Sequence, residues 1–73
     1  MRPDDHRRYV VTVDYEGGGS KREYGNKWGY VCAFAKQEFQ EDSTTGVEVW
    51  DRDMRQLWVV RQMNGVLGLK RIG

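Results

Sequence analysis

Between Arg8 and Glu16 the chain reads RYVVTVDYE, with Tyr9, Val11, Val13 and Tyr15 alternating against Val10, Thr12, Asp14 and Glu16. A period of two in β-branched and aromatic residues predicts a half-buried strand. The period changes in NKWGYVCAFAKQEFQED, residues 26–42, where Trp28, Val31, Cys32, Ala35 and Phe39 recur at helical spacing. That spacing lays an apolar stripe along one helix face, with Asn26 as the expected cap. Cys32 and Ala35 are small and sit mid-stripe, so the helix can lie close on a sheet. Ser43-Thr44-Thr45-Gly46 carries the turn chemistry expected to end it. The period of two then returns in VEVWD, in QLWVVRQM and in VLGLKRI. Asn64-Gly65 joins the last two and is a strong hairpin signal.

The stretch YEGGGSKREY, residues 15–24, admits three readings: a phosphate loop, a flexible linker or a turn. A phosphate loop needs glycines flanking four residues, then Lys before Ser or Thr, then a helix. Here Ser20 precedes Lys21 and the second glycine is missing. Too little chain precedes the run for it to link two domains. A hairpin turn explains the glycines directly, since positive φ is open to them. The expected order is therefore β-β-α-β-β-β, an α+β fold with one helix on one face of an antiparallel sheet. Residues 1–73 form one domain, and residues 1–7 are a charged lead-in expected to fray.

Strand register decides which side chains the uncovered face displays. A three-residue loop, Arg52-Asp53-Met54, sets Asp51 opposite Arg55, Val49 opposite Leu57 and Val47 opposite Val59. Glu48, Trp50, Trp58 and Val60 then share the open face. A two-residue loop at Asp53-Met54 switches that pairing. Met54 is awkward in either loop, because a left-handed position favours glycine. Across Asn64-Gly65 the expected partners are Val60 with Leu69, Gln62 with Leu67 and Trp58 with Arg71. Gly68 reads as a bulge position.

Charge changes the picture less in total than in distribution. Twelve Lys and Arg stand against eleven Asp and Glu. Such balance fits neither an acidic DNA mimic nor a strongly basic nucleic-acid binder. Residues 54–73, however, carry four basic side chains and no acidic one. Cys32 is the only cysteine, so there is no internal disulfide and no Cys/His set for zinc. The lack of disulfides, of a long apolar run and of an apolar leader in Met-Arg-Pro-Asp-Asp-His-Arg-Arg sets the expectation of a cytoplasmic location.

Catalysis finds little support. His6 is the single histidine and lies in the lead-in, away from any motif-placed partner. Cys32 lies on the apolar stripe, where a thiol is a small core residue with a raised pKa. Asp51-Arg52-Asp53 lacks the further oxygen ligands and the glycine of a calcium loop. The expectation is a protein that is not an enzyme, with no cofactor, no metal and no small-molecule substrate.

Binding is the better prospect. In the three-residue register the open sheet face holds Trp50, Trp58, Val60, Leu67 and Leu69, and Val10 adds to it. An apolar patch of that size marks an interface. Tyr30 and Phe34, spaced i, i+4, point away from the helix stripe as a second patch. The expected partner is a protein or a second copy of the chain, with Trp50 and Trp58 as anchors. The competing expectation is single-stranded nucleic acid, stacked on Trp58 and held by Arg61, Lys70 and Arg71. Plainer accounts also exist: the register switches, Arg71 stacks on Trp58, Asp51 pairs with Arg55, and charged edge strands resist aggregation.

The stretch TGVEVWDRDMRQLWVVRQ, after an aromatic-rich helix and a hairpin, resembles small orphan accessory proteins of actinobacterial phages and their hosts. The resemblance covers residues 8–63 and rests on element layout and a WD…LW hairpin, from which Met54 departs. It implies a non-enzymatic accessory protein that binds a host or phage macromolecule, and it supplies no site residues.

Overall fold

Strand β1 (Tyr9–Tyr15) keeps its alternation: Tyr9, Val11 and Val13 are buried, while Val10 and Thr12 lie on the other face. The computed structural model describes residues 6–73, so most of the expected fray at residues 1–7 lies outside the described residues. After β1 come β2 (Ser20–Gly25), α1 (Trp28–Phe39), β3 (Thr44–Asp51), β4 (Gln56–Met63) and β5 (Val66–Arg71). The strands form one antiparallel sheet in the order β2-β1-β3-β4-β5. The helix packs on one face of it, chiefly over β1 and β3. This is the α+β arrangement the periodicities predict.

The glycine run is a turn. Gly17 and Gly18 take φ values of 88° and 95°, and the Tyr15 N–H donates to the Gly19 carbonyl at 2.8 Å. Asn64 and Gly65 likewise have φ values of 53° and 80°, the paired positive values of a tight two-residue hairpin. That turn sets Val60 opposite Leu69, Gln62 opposite Leu67 and Trp58 opposite Arg71, as expected. Gly68 is no bulge, because the β4–β5 pairing runs through it without a shift. The irregularity falls instead between Asp14 and Tyr15 of β1.

The helix spans its apolar stripe, Trp28 to Phe39, and is shorter than the 26–42 segment that carries it. Lys27 occupies the cap position with extended backbone and no side-chain cap, because the Asn26 Oδ1 accepts the Arg8 N–H at 2.9 Å instead. Its far end tightens into successive turns, Gln40 N–H to Gln37 carbonyl and Glu41 N–H to Glu38 carbonyl. The chain then turns at residues 41–43, earlier than Ser43-Thr44-Thr45-Gly46 suggested, and Gly46 lies within β3. Val31 and Ala35 are the buried helix residues. They meet Val11, Val13, Val47, Val49 and Val60 of the sheet, and each such aliphatic contributes roughly 1.5–3 kcal/mol by burial.

The β3–β4 connection corrects the register. It is a four-residue turn, residues 52–55, that sets Asp51 opposite Gln56, Trp50 opposite Leu57 and Val49 opposite Trp58. This is the pairing a two-residue loop at Asp53-Met54 produces, so the register expected from the three-residue loop is wrong by one residue. The cause lies in Asp51, whose Oδ1 accepts the N–H groups of Asp53 and Met54 at 3.1 and 3.2 Å. Its side chain thereby shapes the turn, and Arg55, with φ of 54°, takes the left-handed position in place of Met54. Asp51 also forms a two-pronged pair with Arg8, at 2.9 and 3.0 Å, rather than the hairpin pair with Arg55.

Candidate functional site

The corrected register separates the residues expected to act together. Trp58, Val60, Leu67 and Leu69 lie on the face that the helix covers, packed in or against the core, while Trp50 lies on the opposite face. Trp58 faces Trp28 at 5.1 Å between ring centroids, and Trp28 faces Tyr9 at 5.3 Å. The patch of two tryptophans with three aliphatics is therefore absent, and most of its members are core residues.

A different surface occupies the open face. Tyr24, Val10, Trp50 and Leu57 are successive cross-strand partners on β2, β1, β3 and β4. Directly opposed residues share a face, and strands lie about 4.8 Å apart, so these four side chains form a continuous stripe. The Ile72 N–H donates to the Leu57 carbonyl at 2.8 Å and carries the stripe to the far edge. Trp50 remains 38% exposed, enough to offer a ring face to a partner. A shallow depression of about 320 Å³ surrounds it, lined by Val10, Thr12, Arg22, Tyr24, Trp50 and Arg52.

The stripe is bordered by cations. On one side the Arg52 guanidinium lies over the Tyr24 ring at 5.4 Å, and Arg7 lies 5.9 Å from the same ring. On the other, the next row reads Arg22, Thr12, Glu48, Val59 and Lys70 across the five strands. Arg61 follows opposite Gly68. Among the described residues, Arg22, Arg61 and Lys70 make no ion pair. Among the described strand residues the open face thus sets Arg22, Arg61 and Lys70 against Asp14 and Glu48.

No family model, curated protein or solved structure matches the chain. The site therefore rests on its own geometry.

The remaining candidates fall elsewhere. Tyr30 is exposed on the helix, as expected, and its hydroxyl donates to Glu23 Oε2 at 2.7 Å. That bond to a carboxylate raises the phenol pKa. Phe34 does not stand beside Tyr30 as a free patch, because it packs against the core with the Lys21 ammonium 5.6 Å from its ring. Lys21 in turn reaches Glu38 at 3.3 Å, a contact that raises its own pKa. Arg71 pairs with Trp58 on the covered side, away from Arg61 and Lys70. Cys32 is half-buried, and burial pushes its thiol up, away from the reactive thiolate. Among the described residues no group of three His, Cys, Asp or Glu is placed to hold a metal, and no helix is long and apolar enough to cross a membrane.

Tyr24, Arg22, Arg52 and Leu57 are the residues that sequence reasoning missed. The signal existed for two of them. Once the glycine turn pairs Asp14 with Ser20, the partners of Val10 and Thr12 must be Tyr24 and Arg22. Arg52 and Leu57 depended on the four-residue turn, which no residue type announces.

Proposed function

We propose that the protein is a non-enzymatic binding module that takes single-stranded nucleic acid across the open face of its sheet. The observation that carries this reading is the Tyr24–Val10–Trp50–Leu57 stripe, bordered by the cations Arg22, Arg61 and Lys70. Bases stack on exposed aromatic rings with little regard to sequence, and basic side chains beside the rings meet the phosphates. Tyr24 and Trp50 are separated by one strand, so about 10 Å divides them, room for separate bases on each. Trp50 thus takes the stacking role expected of Trp58, and Arg22 joins Arg61 and Lys70 in the charged role.

The protein-partner reading persists on the same face. Leu57, Val59 and Ile72 make its β4–β5 side aliphatic, which suits an apolar partner better than a base. A second copy is the less favoured occupant, because two such faces would bring an excess of cations together. An accessory role in a phage or its host fits either partner.

Fluorescence anisotropy with labelled single-stranded oligonucleotides separates the two. With three phosphate contacts, the logarithm of the association constant should fall against that of salt with a slope of about −2. Trp50→Ala should weaken binding roughly tenfold, the loss of one stacked base. Binding unmoved by both salt and Trp50→Ala would sink the nucleic-acid reading. Retention of a defined protein in high salt, lost on Trp50→Ala, would replace it with the protein-partner reading.

A further inference from the structure

The sheet is split at one end. Strands β3 and β4 are eight residues each, yet only four pairs join them, from Glu48 with Val59 to Asp51 with Gln56. Residues 44–47 of β3 pair with β1 alone, and residues 60–63 of β4 pair with β5 alone. Between these facing halves lies a cleft of about 550 Å³. Its floor is apolar, made by half-buried Phe39 from the end of the helix with buried Val47 and Val60. Its mouth is polar, with Asp14 and Glu48 on one side and Arg61 on the other.

The geometry points to an extended peptide of another protein, entering the cleft as an additional strand. An unpaired strand flank presents a row of backbone N–H and C=O groups, which is a template for another extended chain. Here two such flanks face one another, so the entering backbone meets donors and acceptors on both sides. Because side chains alternate along a strand, one set would rest on Phe39, Val47 and Val60 and the other would emerge at the mouth. The fitting segment therefore alternates apolar and polar residues. Asp14 and Glu48 favour a basic residue among the emerging ones. A nucleic-acid strand has no such backbone, so this site differs from the Trp50 face in its ligand, although Arg61 borders both.

Amide hydrogen exchange followed by NMR on the whole chain tests it, with the acetylated, amidated peptide Lys-Val-Thr-Val-Thr-Val-Lys as probe. In the free protein, alternate amides of residues 44–47 and 60–63 should exchange at least about 10-fold faster than their neighbours bonded to β1 or β5. Adding the peptide should slow those amides and shift their resonances. A peptide N-methylated at alternate residues should do neither, since it keeps the side chains and loses the backbone donors. Uniform protection across both runs in the free protein would mean that the ladder is closed, and would overturn the proposal. So would equal effects from the N-methylated peptide, or peptide shifts confined to β2 and β5. Protection that grows with protein concentration alone would overturn it in favour of a second copy.

Discussion

The two faces of this sheet are made by alternate residues of the same strands and obey different rules. On the covered face Val11, Val13, Val47 and Val49 close against Val31 and Ala35, and the one charged residue buried there, Asp51, is held by Arg8 and two backbone N–H groups. On the open face the apolar side chains form a stripe one residue wide, and beside it Arg22, Arg61 and Lys70 make no ion pair among the described residues. A core selects for filled volume and satisfied polar groups. A surface that only needed solubility would intersperse opposite charges and keep large rings apart. The open face instead sets an excess of cations beside an apolar stripe, and the proposal that it is the working side rests on that difference.

The widest test of the comparison uses neighbours in the chain. Val49→Asp places an unpaired carboxylate in the core, at a cost of about 4 kcal/mol or more, close to the whole stability of so small a domain. Circular dichroism and denaturant titration should therefore find that variant largely unfolded. Trp50→Ala, one residue on, should stay folded with its denaturant midpoint little changed, while ligand binding suffers. Two folded variants, or two unfolded ones, would show that the faces are not distinct.

How much of this was legible from residues alone depended on turn chemistry. Asn64-Gly65 and the glycine run carry their own φ requirements, so the β1–β2 and β4–β5 hairpins are legible in the sequence. The helix was legible from its stripe, though not its first turn, because Asn26 is drawn away to the Arg8 backbone. The β3–β4 turn was not legible. Its length follows from a long-range pair, Arg8 with Asp51 across 43 positions, together with the Asp51 bonds to Asp53 and Met54. With a side-chain period of two, one residue of error moved Trp58, Val60, Leu67 and Leu69 to the wrong face. The candidate site inherited that error, and of the expected sheet patch only Trp50 and Val10 kept their place.

The same pair offers an intermediate test. The Arg8 guanidinium holds the Asp51 carboxyl below its ordinary value of 3.8, with the backbone bonds from Met54 and Asp53 adding to the effect. A carboxylate depressed in the folded state stabilises it fully above the unfolded value, and that contribution is lost as pH falls through the folded one. Asp51→Asn should therefore cost roughly 1–3 kcal/mol at neutral pH, the scale of hydrogen bonds to a charged group. The gap between variant and parent should narrow once pH drops below the ordinary aspartate range. Denaturant titrations from neutral pH to acid would measure it. A gap that stayed constant would assign the cost to shape rather than to charge.

Two glycines give the finest comparison. A Cβ at Gly25 would meet the Val31 Cγ1 at 2.9 Å and the Tyr30 Cδ2 at 3.1 Å. Val31 is fully buried between helix and sheet and has nowhere to move, so Gly25→Ala should cost about 1–3 kcal/mol as overpacking does. A Cβ at Gly68 would meet the Met63 methyl at 2.8 Å, which is nominally closer. Met63, however, is 42% exposed and flexible, so its methyl can swing into solvent. Gly68→Ala should therefore change stability by no more than about 0.5 kcal/mol, as surface substitutions do. The shorter contact is thus expected to be the cheaper one, because the neighbour's freedom decides the cost. Equal penalties in thermal unfolding would mean that Met63 is held as firmly as Val31. A partner already seated on the open face would hold it so, and that penalty would then fade on dilution if the partner were a second copy.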